Sequence, residues 1–269
     1  MTWSVVARHD GRTTVGERSV RLLLGLLAFV IVLAGYMYPL AGTPPYTTAR
    51  FGGFAVGWLT TVVPLVGLLL GYNAVVTDRE SGAIRLSLSL PHSRRDLLVG
   101  TAVSRIGLVA ATVVAAMVVA GWLVVYPFGE LALPQFLLFV ALSTVFGAIW
   151  TGLGIAVSFT VATRRRALVL AFSLFFVFVL VWDPAVEVLE LGLDTVGLID
   201  GSLPAPVRFV TGLTPGNAFE RATTGLVDPS ASVDGPWYLG PWVALVLLAG
   251  WVVVPMELAF RRFAGSDLA

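Results

Sequence analysis

For acid–base or ligand chemistry this 269-residue chain offers seventeen arginines, sixteen carboxylates and two histidines, His9 and His92, with no lysine and no cysteine. The missing thiol removes disulfides, thiol nucleophiles, iron–sulfur clusters and thiolate zinc sites together. A P-loop sets a lysine on the nucleotide phosphates, so a chain without lysine cannot be an ATPase on its own. A zinc-protease helix needs two histidines one turn apart, and no G-x-S-x-G elbow is present. Charges that could pair remain. Glu257 and Arg261 stand at i,i+4 at the inner end of the last apolar stretch and read as an interfacial ion pair. The other group is the run Thr77 to Asp96, which carries Asp78, Arg79, Glu80, Arg85, Arg94 and Arg95 around a central set of aliphatics.

The elements that must hold these residues are set by composition. The chain is 57% hydrophobic and only 12% charged, against about 25% charged in a soluble domain. Much of its surface therefore faces lipid. Six stretches of roughly the 20 residues a bilayer demands of a helix lie at 22–40, 54–76, 106–126, 136–161, 167–182 and 239–257, and their only charge is Glu257 at the inner end of the last. The fifth is short, at 16 residues before Asp183, and spans only where the bilayer thins or protein shields its outer end. The expected fold is all-α: a single transmembrane domain over 1–269. Almost no ionisable group falls inside the spans, which weighs against proton coupling.

Arginine placement gives the orientation. Fourteen of the 17 arginines lie before span one, between spans two and three, between four and five, or after six. Only Arg50, Arg208 and Arg221 fall on the other side. Positive charge is retained in the cytoplasm, so both termini are expected inside, in a multi-pass protein of the plasma membrane. Tyr36, Tyr38, Trp122, Tyr126, Trp182, Trp237, Tyr238 and Trp242 fall at the predicted outer ends, where amphipathic rings favour the headgroup layer. The length of the first stretch, with five spans after it, argues against a signal peptide.

Two readings of residues 1–21 stand open: an amphipathic helix on the inner leaflet, with Trp3, Val5 and Val6 beside Arg8 and Arg12, or a partly ordered polar tail. The outer loop 183–238 is acidic. Val186, Leu189 and Leu193 recur there at helical spacing and predict a short amphipathic helix, and Pro204, Pro206, Pro215, Gly201, Gly212 and Gly216 break the loop into pieces. Gly53-x-x-x-Gly57 and Gly67-x-x-x-Gly71 allow close helix approach, within one subunit or between two.

The loop 77–105 stands out. Ile84, Leu86, Leu88 and Leu90 alternate with polar residues, which alone argues strand. An isolated strand at a membrane surface leaves its ladder groups unpaired, so a short helix is preferred, partly on the resemblance that follows. The segment resembles the one after the second span in membrane-spanning subunits of ABC-2 type transporters, the NosY-like permeases in particular. Their pattern is D/E-R-E-x-G-S/T, an aliphatic run, then L-x-x-P-x-S-R. Asp78, Arg79, Glu80, Gly82, Leu88, Pro91, Ser93 and Arg94 match it; Ala83 replaces the usual small hydroxyl and Ser87 interrupts the leucine-rich stretch. Thr214-Pro215-Gly216-Asn217-Ala218-Phe219 is similar to the family's Pro-x-x-Ala-aromatic element between spans five and six.

The resemblance implies a permease subunit whose segment, with Arg95 joining the matched residues, is a cytoplasmic coupling helix. The chain itself would carry no cofactor. ATP and Mg would be bound by a partner ATP-binding subunit, and the permease would pair as a homodimer or with a second permease, in contact with lipid and not with nucleic acid. The rivals are a secondary transporter or channel independent of ATP and a non-transporting membrane assembly factor.

Overall fold

The structure is a computed structural model that describes residues 3–76, 80, 94–126, 129–228 and 235–264. Most of the proposed coupling helix therefore lies outside the described residues, including Asp78, Arg79, Gly82, Leu88, Pro91 and Ser93. Among the described residues the chain is helical, with no strand beyond an isolated pairing of Thr47 with Glu130.

Among the described residues, six helical elements are long and apolar enough to cross a membrane. A first helix, α1 (Trp3–Gly16), precedes them. The spans are α2 (Arg18–Ala41), α3 (Thr48–Gly71), α4 (Arg94–Val125), α5 (Leu133–Thr160), a fifth built from α6 (Arg164–Phe175), a π-helical turn (Phe176–Val181) and α7 (Trp182–Thr195), and a sixth, α10 (Pro241–Ala264). Between the last two lie α8 (Ala205–Thr211) and α9 (Pro215–Leu226), so the segment between spans five and six is partly helical, as expected.

Close packing decides the bundle. Without a hydrophobic drive between helices in lipid, small residues let backbones meet. A Cβ at Gly71 would lie 2.5 Å from the Thr151 carbonyl oxygen, and one at Gly154 would lie 2.8 Å from the Gly71 Cα. Gly67 meets Trp150 and Thr151 in the same seam. The Gly67/Gly71 pair thus packs α3 on α5 inside the subunit. Gly53 and Gly57 are exposed, and a Cβ at Gly57 would touch nothing.

The fifth span departs most from its expected length. The apolar stretch ends at Asp183, but the helix does not: it continues from Arg164 to Thr195, 32 residues, roughly 48 Å at 1.5 Å per residue. Pro184 explains the π turn inside it. A proline ring clashes with the carbonyl four residues back, here Leu180, and widening Phe176–Val181 to a π-helix relieves that contact. The amphipathic run Val186, Leu189 and Leu193 is the C-terminal part of this helix, continuous with the span.

Both described chain ends lie at one end of the bundle, where α1 sits on the first turns of α4. Arg8, Arg12, Arg18, Arg21, Arg95, Arg164, Arg165, Arg166, Arg261 and Arg262 are all exposed there. α1 is a docked helix, not a loose tail: a Cβ at Gly100 of α4 would lie 2.7 Å from the Trp3 carbonyl oxygen and from Val6 Cβ.

Candidate functional site

The chain leaving α3 at the α1 end is gripped before it enters the segment 77–93. Val75 and Val76 both donate their backbone N–H to Ser158 Oγ of α5, at 2.9 and 3.0 Å, in a buried position. Ser158 thereby satisfies two donors that the ended helix cannot. Arg105 of α4 donates from Nη1 to the Leu70 carbonyl at 2.5 Å and from Nη2 to the Ala74 carbonyl at 3.5 Å. The same guanidinium meets Asp10 of α1 at 3.4 Å.

Glu80 is the matched residue whose contact is described. Its Oε2 accepts the backbone N–H of Arg164 at 3.2 Å. Thr163 caps the same helix by accepting from the Arg166 N–H at 3.4 Å. A carboxylate on a helix N-terminus faces the positive end of the helix dipole. Glu80, early in the run Thr77–Asp96, thus touches the start of the fifth span, a contact that sequence reasoning did not find. Arg94 opens α4, and Arg95 is exposed in its first turn. Glu257 and Arg261 form the expected i,i+4 pair at 2.8 Å.

A second polar cluster lies towards the opposite end, where α8 and α9 form a helix–turn–helix hairpin whose second helix packs on α3, α5 and α10. Its turn comes close to Trp251, ten residues into α10, about 15 Å along that helix. Backbone carbonyls at such a depth need internal donors, and each of the first three turn residues has one. Trp182 Nε1 donates to Thr211 O at 2.8 Å, Arg221 Nη2 to Gly212 O at 2.5 Å, and Trp251 Nε1 to Leu213 O at 2.8 Å. Thr214 then caps α9, accepting from the Asn217 N–H at 3.2 Å. Asn217 Nδ2 reaches Asp183 Oδ1 at 3.1 Å, and Phe219 is buried and stacked on Phe146 with centroids 4.5 Å apart.

The similarity noted at Thr214–Phe219 therefore falls on the hairpin's turn and first helical turn. Burial pushes the Glu220 carboxyl above its ordinary range, and the charge of Asp183 adds to the shift. Burial lowers the affinity of the Arg221 guanidinium for its proton. Sequence reasoning read Trp182 as a headgroup anchor and assigned no task to Trp251. It also counted Arg105 as a loop charge, whereas it lies inside α4; the signal for that was an arginine followed directly by the long apolar run from Ile106.

A six-span bundle with a docked first helix, a gripped exit from span two and a hairpin between spans five and six is the frame against which relatives can be compared. The family model described as ABC-2 family transporter protein matches residues 5–268. The chain belongs to the ABC-2 family of transporter proteins. A relative from Pseudomonas aeruginosa, named as a probable ABC transporter permease protein NosY, is 28% identical over 275 residues, covering 97% of this chain and 98% of that protein. A second of the same name, from Stutzerimonas stutzeri, is 28% identical over 285 residues, covering 97% of each. This ABC-2 protein is accordingly a multi-pass membrane subunit of an ABC transporter.

Proposed function

We propose that this ABC-2 subunit moves its substrate across the plasma membrane with ATP hydrolysed entirely on a separate subunit. That partner binds the ATP and Mg, and the permease forms no covalent intermediate. It works by stabilising one of two conformations according to the state of the ATPase. The end rich in exposed arginine is the cytoplasmic one, and the segment from Asp78 to Arg95 docks on the ATPase.

The observation that carries the proposal is the contact of Glu80 with the Arg164 N–H, beside the grip of Ser158 on Val75 and Val76. A force on the coupling segment then reaches spans two, four and five directly. The permease pairs with a second copy or a second permease. Support for this comes from the fifth span, which has only 6% of its most apolar window buried by its own chain, against 61% for α5.

Co-expression tests the reading. The isolated chain is expected to hydrolyse no ATP above background, and the tagged chain to co-purify with an ATPase whose activity is lost when that subunit's phosphate-binding lysine is replaced. Mutation-sensitive hydrolysis by the isolated chain would overturn it. So would transport that follows an ion gradient with no ATPase present.

A further inference from the structure

Among the described arginines at the α1 end, Arg105 alone is not exposed; its side chain keeps 12% of its surface, and that of its partner Asp10 keeps 17%. It joins three pieces of chain that are distant in sequence: Asp10 on α1, Leu70 in the last turn of α3 and Ala74 just beyond it. The last carbonyls of a helix have no intrahelical donor, and the planar guanidinium fork can serve two of them and a carboxylate together. The same surfaces meet closely nearby. A Cβ at Gly11 of α1 would lie 3.2 Å from Ser104 Oγ of α4.

We propose that Arg105 is a positioning residue for energy coupling, fastening α1, the end of α3 and the start of α4 into one rigid lever. The two helices it joins, α3 and α4, are those that carry the chain into and out of the coupling segment. A push there moves three elements together instead of being lost in slip between them. The inference rests on the coupling role proposed above, but its first test needs no ATPase.

Hydrogen exchange on the permease alone in lipid nanodiscs reads the lever itself. Arg105→Gln is expected to speed exchange at α1 and at residues 70–76 together, on the order of tenfold, with the remaining spans unchanged. Arg105→Lys falls between. Asp10→Asn, a milder change that leaves the carbonyl contacts in place, loosens α1 only. Unchanged exchange in α1 and in 70–76 for Arg105→Gln overturns the proposal.

The second test uses the complex with its ATPase. Gly216→Cys places a single thiol at the start of α9, where a Cβ meets nothing, and its maleimide labelling rate is measured with and without ATP. Arg105→Gln is expected to abolish the ATP-dependent change while hydrolysis continues. A disulfide between Gly11→Cys and Ser104→Cys replaces the lost tie, so it restores the change, and reduction removes it again. If the disulfide alone, with Arg105 present, abolishes the ATP-dependent change, α1 must slide on α4 and the lever is wrong. An absent ATPase partner would sink the coupling reading, and the exchange result would still decide the lever.

Discussion

Glu80 Oε2 lies 3.2 Å from the backbone nitrogen of Arg164, 84 positions further along the chain. This carboxylate, near the start of the proposed coupling segment, sits on the first turn of the fifth span. The partner that the structure describes for this carboxylate lies on another helix, not within its own segment. Because Glu80 is exposed, the contact is a modest one, about 0.3–1 kcal/mol for a charge at a helix N-terminus. That is too little to hold the fold, and enough to bias two conformations of similar energy.

Glu80→Ala is therefore expected to insert and accumulate normally but to lose most of the substrate-stimulated ATP hydrolysis of the two-subunit complex. Glu80→Gln should retain more, since its amide oxygen still accepts from Arg164. The assay is hydrolysis in vesicles at matched protein amounts. Wild-type rates in Glu80→Ala, together with wild-type rates in Arg94→Ala/Arg95→Ala, would remove the coupling role from this segment.

Orientation can be read by thiol chemistry, because the chain has no cysteine of its own. A cysteine at Ser230 should react with an impermeant maleimide added outside intact cells, and one at Ser81 or Ser266 should not. External labelling at Ser266 would contradict a cytoplasmic carboxyl terminus.

The six spans were legible because lipid imposes one requirement on every exposed residue, and charge-free runs record it directly. The arginine clusters marked one end of the bundle for the same reason. Helix ends were less legible. Asp183 looks like a stop signal, yet the Asn217 side chain donates to it and the fifth helix runs on to Thr195. Arg105 was hidden by the reverse case, a charge that the α3 carbonyls and Asp10 allow inside a helix. The tasks of Trp182 and Trp251 depend on carbonyls at Thr211 and Leu213, and no pattern within one helix can announce a donor needed by another.

Those two indoles make the hairpin testable. Trp182→Phe and Trp251→Phe keep an aromatic ring but remove the N–H donor and part of the indole's bulk; the Leu213 carbonyl then loses its donor, at a cost of about 1–3 kcal/mol, and Thr211 O is left with only the longer contact from Asn217. Each variant should lower the Tm of the purified subunit, and the double variant should lower it further. Unchanged Tm in both single variants would mean that the turn is held by packing alone.

The hairpin should also respond to pH through Glu220. Two causes raise its carboxyl above the ordinary range, burial first and the nearby charge of Asp183 second. The folded protein then binds a proton more tightly at this site than the unfolded chain does. Stability from this group is fully present below the unfolded pKa near 4.5, and it is lost as pH rises through the folded value. By surface area Glu220 is nonetheless an exposed residue, so solvent screening keeps the effect small. Glu220→Gln mimics the neutral form at every pH. Its Tm should match the wild type at pH 4 and exceed it at pH 7, so that the difference between the two grows as pH rises. Asp183→Asn removes the second cause, so in that background the difference should level off at a lower pH and at a smaller value. A Tm difference between Glu220→Gln and wild type that stays constant from pH 4 to 7 would show that Glu220 ionises as freely in the folded hairpin as in the unfolded chain.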